Sequence, residues 1–383
     1  MKNIILFDND KVRASLLPLT FTRPVACVRF GAMTIAEKWV KATGAKVSFQ
    51  TQDYLSEKYP ALITNDTVYI AGHVCPDAQL IKAIEALSDD EMLVSGDGEL
   101  LAYKTYDEKN VTYEGNLLSI HSITDVFMLN EAAILADFEV LTVGRESMPL
   151  SDSCRLVGDP SRLFIEPGAK LECANINVTK GPVYIGRDAE VMEGACLRGP
   201  IAMCEHSVVN MGGKIYGATT LGPYCKVGGE LNNVVMTGYS NKAHDGFLGN
   251  AVIGEWCNLG AGCTASNLKN TYGQVRLWSY ATGRFEKTNL QFCGLIMGDH
   301  SKAGINTMFN TATVVGVGVN FYGAGFPRTF IPSFQEGSTA GMKEVDIMRM
   351  FDTASRMMAR RHVELTEADK EILIAVREFE MKV

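Results

Sequence analysis

The chain has 383 residues, with 36 Lys and Arg against 44 Asp and Glu, a formal net charge of -8. That balance leaves no overall basic surface for a phosphate backbone and argues against nucleic acid as the main partner. The length exceeds one ordinary core, so two domains plus an extension are expected. No apolar run approaches the roughly 18 residues of a membrane helix, and the chain opens into the strand-like Ile4-Ile5-Leu6-Phe7 without a signal-peptide pattern, so the expectation is a cytoplasmic protein with no membrane insertion.

In chain order, strand-like runs at Asn3 to Phe7, Lys46 to Gln50, Thr67 to Ile70 and Met92 to Ser95 alternate with helical runs at Thr34 to Thr43 and Asp77 to Leu87. This alternation predicts an α/β N-terminal domain over residues 1–145. Residues 146–160, polar and interrupted by Pro149, read as a linker.

From residue 161 a large apolar residue recurs every sixth position: Ile165 and Leu171; Ile185, Val191 and Leu197; Leu221 and Val227; Ile253 and Leu259; Met297, Ala303, Phe309, Val315 and Phe321. Glycine often follows it, as at Gly186, Gly222 and Gly254, and the fifth position is usually small, as at Ala189, Cys225, Cys257 and Cys263. A helix repeats near 3.6 and a strand at 2, so neither writes this pattern. A coil that turns a corner every six residues does, which predicts a left-handed parallel β-helix over 161–335 with buried, structural cysteines. The phase slips around 201–220, 233–250 and 265–290, where loops are expected to leave the coil. Lys343 to Arg361 reads as a Met-rich amphipathic helix, and Thr366 with Asp369 as the capping box of a second; this helical extension, 340–383, is expected to cover the coil end or pack on a neighbour.

At 241–267 the sequence Asn-Lys-Ala-His-Asp-Gly-Phe-Leu-Gly-Asn-Ala-Val-Ile-Gly-Glu-Trp-Cys-Asn-Leu-Gly-Ala-Gly-Cys-Thr-Ala-Ser-Asn resembles the acetyltransferase signature of the bifunctional N-acetylglucosamine-1-phosphate uridyltransferase/glucosamine-1-phosphate acetyltransferase family. Met297 to Thr307 is similar to that family's segment along the acetyl-CoA channel. The resemblance implies His244 as general base, a role suited to a side chain with an ordinary pKa near 6.5, and Glu230 as its catalytic partner. It implies Asn267, Lys214 and Phe247 as substrate-binding residues and Ile305 and Gly323 as acetyl-CoA contacts. Phe247 and Leu268 stand where the family has tyrosines, which removes two hydroxyls from the acceptor site.

In the first domain, Leu17 to Pro24 and Gly31 to Lys38 are similar to sugar nucleotidyltransferases, with Arg13, Arg23 and Lys38 implied as nucleotide contacts. Asp8-Asn9-Asp10-Lys11, however, stands where a Gly-rich phosphate loop belongs, and His73 replaces the aspartate that would hold magnesium. The implied protein is an acetyl-CoA-dependent N-acetyltransferase acting on an amino-sugar phosphate or nucleotide-sugar precursor of the UDP-N-acetylglucosamine type. Its nucleotidyltransferase domain would be degenerate, it would form a homotrimer, and it would use Mg only if that domain is active. Two alternatives stand beside this one: an active sugar-1-phosphate nucleotidyltransferase whose β-helix serves oligomerisation or regulation, and a non-catalytic sugar-nucleotide binding protein. No metal-ligating residue is singled out, and a zinc centre of the γ-class carbonic anhydrase kind, which uses the same coil, is not expected, because the six histidines show no pair close in sequence.

Overall fold

The computed structural model describes residues 1–107 and 109–380; the last three residues of the predicted C-terminal extension lie outside them. The first domain is a six-stranded sheet. Strand Asn3–Phe7 lies in parallel between Lys46–Gln50 and Thr67–Ala71, and Leu100–Tyr103 is antiparallel to both Thr67–Ala71 and Glu91–Ser95. Lys109–Tyr113 closes the edge, parallel to Glu91–Ser95. Every strand and helix expected here is present, with ends shifted by two residues or fewer.

Helix α1 (Asp10–Ser15) follows the first strand, and α2 (Ile35–Thr43) begins with a Thr34/Glu37 capping box and ends at Gly44 in the left-handed region, φ +68°. Helix α3 (Ala78–Glu85) is capped by the Asp77 carboxylate. After the short α4 (Asp125–Met128), α5 (Asn130–Thr142) buries Asn130, Ala133, Ile134 and Asp137 on one side, and its apolar stripe is weak because two of these buried residues are polar while Leu135 and Val140 are exposed.

The second part is a parallel β-solenoid. One ladder runs Leu163↔Val183↔Ile201↔Thr219 and continues through Val252↔Ile296↔Val314↔Phe330. A second runs through Leu171, Val191, Val209 and Val227, and a third through Ile176, Leu197, Ile215, Leu231 and Leu248. All the large sixth-position residues are buried in one continuous core, as the period required. Cys225, Cys257 and Cys263 are buried with them, and burial holds the thiols of Cys225 and Cys257 up at about 12, so these are packing groups rather than nucleophiles. The glycine after the large residue is dictated by the neighbouring coil: a Cβ at Gly222 would stand 2.1 Å from the Thr237 carbonyl oxygen.

Four expectations change. The coil begins inside the span read as linker, because Arg155–Val157 already pairs with Asn175–Asn177. Two of the three phase slips are not loops: at 201–220 the chain stays in the ladders, and Glu230–Gly238 and Phe247–Glu255 are nine-residue strands that pass a tightened corner, with Asn233 and Asn250 at φ +56° and +46°. Only 266–294 departs, carrying the hairpin Arg276–Ser279/Arg284–Lys287. Last, Lys343 and Glu344 are not helical; Gly341–Glu344 folds back antiparallel on Gln335–Ser338, and this hairpin supplies the partner for the terminal edge of its sheet.

Helix α6 (Ile347–Ala359) therefore does not cap the coil but lies along its flank. Arg349 pairs with Glu336 near one end, while Arg361, just beyond the other, donates to Asn241 at 3.4 Å. From Glu336 to Asn241 is four rungs, about 19 Å at ~4.8 Å each, and thirteen helical residues rise about 20 Å, so helix and flank match in length. Helix α7 (Glu367–Glu380) has the expected Thr366/Asp369 cap and packs with α6, Trp256, Val317 and Phe334 against Phe21 and Leu55 of the first domain.

Underneath α6 runs a column of rings that sequence reading missed: His206, Tyr224, Tyr239, Trp256 and His300 stack at successive corners, centroids 4.5, 5.3, 4.2 and 6.4 Å apart. Each occupies a left-handed corner, φ +54° to +60°, where a non-glycine residue is strained and the stacking offsets that strain.

Candidate active site

The residues singled out in the solenoid come from two adjoining surfaces. Asn241 pairs with Asn258, Leu259 with Ala303, and Ala303 with Phe321. Two residues beyond the end of each of these strands stand His244, Ala261, Ile305 and Gly323, so three of the expected residues share one corner column. Rungs are spaced by about 4.8 Å, which puts Ile305 about 10 Å and Gly323 about 14 Å from His244 along the coil axis. His244 and Ile305 are exposed, and Gly323 takes φ +97°.

The face next to this corner carries the others. Lys214, Glu230 and Phe247 pair in register on three successive rungs, pointing outward while their neighbours Ile215, Leu231 and Leu248 are fully buried. His244 opens the rung that Phe247 begins. A Cβ at Gly249 would stand 2.6 Å from the Phe247 ring and 2.7 Å from the Asn267 amide nitrogen, so both side chains close over that glycine. Asn267 Nδ2 in turn donates to Asn250 Oδ1 at 2.8 Å.

Two supporting residues were not expected. Tyr216 donates its hydroxyl to Glu230 Oε1 at 2.6 Å; this bond first, then desolvation, pushes the phenol up to about 12 and keeps it a donor that fixes the carboxylate. Lys242 occupies an inward position, in register with Val227, and its Nζ donates to the Gly228 and His244 carbonyls at 3.0 and 2.7 Å. It braces the corner that presents His244. Desolvation lowers its ammonium to about 8. Lys242 falls inside the phase slip at 233–250, so the six-residue count did not point to it and only the register with Val227 shows it.

The segment 297–307 divides. Ile305 lies on the corner just described, His300 belongs to the ring column under α6, and Asp299 faces the first domain: it takes a hydrogen bond from Thr22 at 2.6 Å and pairs with Arg23, which also meets Glu255 at 2.9 Å. Arg23 is thus buried in a bridge between the two parts of the chain. Lys38 is likewise buried against Asp137. Arg13 donates to the Thr20 carbonyl and to the Tyr54 hydroxyl. The expectation that Arg23 and Lys38 meet a nucleotide is corrected by their placement, since both are enclosed in ion pairs, whereas Arg13 is half-buried and carries no ion pair. The amides of Lys11 and Val12, at the start of α1, are capped by Asn9 Oδ1 at 3.0 and 3.4 Å, so this loop satisfies its own donors.

The first domain also brings together His73, Glu99 and His121, whose ligating atoms all lie within 4.8 Å of one another. The expectation of no metal site rested on sequence spacing, which hides this trio. Among the described residues no helix is long and apolar enough to cross a membrane.

Residues 4–146 match the family model described as sugar nucleotidyl transferase. The bifunctional protein GlmU of Synechococcus sp. (strain CC9311) is 29% identical over 194 residues, 50% of this chain and 35% of that protein, so the chain matches about a third of its relative's length. Among solved structures, the N-acyltransferase AntD from Bacillus cereus is 10% identical, covering 54% of this chain and 91% of its own at a TM-score of 0.21. The acetyltransferase domain of PglB from Neisseria gonorrhoeae is 12% identical, covering 90% and 100% at a TM-score of 0.18. Such low scores carry no argument about this chain. The chain thus joins a domain that matches the sugar nucleotidyl transferase family model to a parallel β-solenoid.

Proposed function

We propose that the chain is an acetyl-CoA-dependent N-acetyltransferase acting on an amino-sugar phosphate or nucleotide-linked amino sugar. The observation that carries this reading is the corner column His244, Ala261, Ile305, Gly323 beside the row Lys214, Glu230, Phe247. An extended acyl thioester laid along the coil axis would pass Gly323 and Ile305 and bring its carbonyl to His244. The sugar ammonium enters as its free amine after giving one proton to solvent; the amine adds to the thioester carbon while His244 takes a proton from that nitrogen, and the C–S bond breaks with this proton passing from His244 to the leaving thiolate. Lys214 offers a cation to the sugar phosphate, Phe247 a stacking surface, and Asn267 an amide.

His244 and Ile305 are exposed in the single chain, so a second wall is needed to exclude water. A homotrimer, with each corner facing the neighbouring coil, supplies one. The first domain we read as degenerate for nucleotidyl transfer, on the self-capped loop after the first strand and the enclosed Arg23 and Lys38. An active sugar-1-phosphate nucleotidyltransferase is the second reading, favoured by the family match over residues 4–146.

Two assays decide between them: acetyl-CoA with amino-sugar phosphates and nucleotide amino sugars, then nucleoside triphosphate, magnesium and sugar 1-phosphate, each followed by mass spectrometry of product. Acetylated sugar should form in the first, and His244→Ala should lower kcat by roughly 10²- to 10⁴-fold. Transfer that survives this change within about tenfold, ~1.4 kcal/mol, removes the base assignment.

A further inference from the structure

We propose that His73, Glu99 and His121 form a binding site for a divalent first-row transition cation at the carboxyl ends of the first domain's parallel strands. The three ligands come from separate segments. His73 follows the end of strand Thr67–Ala71, Glu99 precedes the antiparallel strand Leu100–Tyr103, and His121 lies just past the Val74–Ser119 bridge. His73 Nε2 is 3.1 Å from Glu99 Oε1, His121 Nδ1 is 3.8 Å from Glu99 Oε2, and the two imidazole centroids are 4.9 Å apart at 64°. Donor atoms that each sit about 2.0–2.2 Å from one cation are separated by this order of distance.

The second observation is the state of His73. Its ring is fully buried, and neither ring nitrogen has a hydrogen-bond partner; the Glu99 oxygen is near Nε2 but off the line a hydrogen bond needs. A buried imidazole with both nitrogens unanswered costs stability, and a cation on Nε2 supplies the missing partner.

The surrounding groups hold the other ligands in place. Ser119 Oγ lies 2.9 Å from His121 Nε2; with the proton on Nε2 shared with that hydroxyl, Nδ1 turns its lone pair toward Glu99. Asn9, at the end of the first strand, donates to Glu99 Oε1 at 3.3 Å. Two imidazoles and one carboxylate suit Zn²⁺, Co²⁺, Fe²⁺ or Mn²⁺ and are a poor set for Mg²⁺. Three protein ligands leave a coordination position open, and the partly exposed Glu99 and His121 give access to it. The place is also the one where such folds admit ligands. The chain passes from Asn3–Phe7 to Lys46–Gln50 on one side, then to Thr67–Ala71 on the other, which opens a crevice where Asn9 and His73 emerge. This site is independent of the acetyl-transfer reading.

The test is a titration of the chelator-treated, full-length protein with Co²⁺, followed by visible absorption and calorimetry. About one Co²⁺ should bind per chain, without the near-ultraviolet thiolate band that any of the ten free cysteines would give, and Mg²⁺ should not compete at a hundredfold excess. Glu99→Gln and His121→Ala should each weaken binding at least tenfold while far-ultraviolet circular dichroism stays unchanged; His121 is half exposed, so its variant keeps the test decisive even where His73→Ala fails to fold. Binding undiminished in the Glu99→Gln/His121→Ala double variant, a thiolate band, or no specific binding to the native chain would overturn the proposal.

Discussion

At the scale of single residues, two buried bases carry predictions with a fixed sign. Burial, reinforced by Lys302 and Arg23 and opposed by Glu255 and Asp369, lowers the His300 imidazole to about 3. The native state therefore binds no proton on it above that value, whereas the unfolded chain binds one below about 6.5, so stability falls as pH drops through this window by up to ~1.4 kcal/mol per unit. Urea denaturation at pH 7 and pH 5 should show His300→Leu losing less stability between the two than the native chain. Lys242 behaves alike at the alkaline end. Its ammonium is lowered to about 8, so between there and its ordinary 10.5 only the unfolded chain is protonated, and the native chain gains stability as pH rises. Relative to native protein, Lys242→Met should look progressively worse from pH 7.5 to pH 10. The same variant removes both bonds that brace the His244 carbonyl corner, and a lowered kcat with little change in KM is the expected kinetic signature.

At the scale of elements, coil spacing sets what each position tolerates. Gly222→Ala would force a methyl to within 2.1 Å of the Thr237 oxygen, a backbone atom that cannot swing aside. We expect a loss of about 1–3 kcal/mol, read as a lower denaturation midpoint at unchanged slope. The six-residue period made such positions legible in advance, since one large inward residue per strand and a small one beside it write themselves into the sequence. It did not reveal the ring column His206 to His300, whose members lie a whole coil apart and meet only when coils stack. Nor did it separate tightened corners from excursions, because both shift the phase alike. The fate of Lys343 and Glu344 shows the same limit: their helical pattern was overridden by an unpaired edge strand that needed a partner.

At the scale of the whole molecule, the two parts share a continuous core and several buried polar bridges rather than a flexible joint. Val235, Val252 and Ile296 of the solenoid pack with Val25, Ala26 and Phe127 of the first domain. Asn130 donates to the Ala218 carbonyl at 2.7 Å, and Arg29 donates to that of Thr237 at 3.0 Å. Arg23 is the tie that meets a buried carboxylate, and removing it would leave Asp299 buried without its cation. Arg23→Met should therefore cost about 3–5 kcal/mol and lower one cooperative transition rather than split it into two. Separate melting of the two parts in calorimetry would contradict a common core.

Periodicity by itself determined the α/β start, the solenoid and its inward residues, because each repeats at a spacing fixed by backbone geometry, whereas His244 was singled out by the resemblance of 241–267. Tertiary structure alone decided the rest. Arg23 and Lys38 read as nucleotide contacts until folding enclosed them in ion pairs with Asp299 and Asp137, since a charged residue in sequence does not say which side of an interface it will occupy. His73, Glu99 and His121 read as unrelated until the sheet drew three strand ends together, for convergence of distant segments leaves no period to detect.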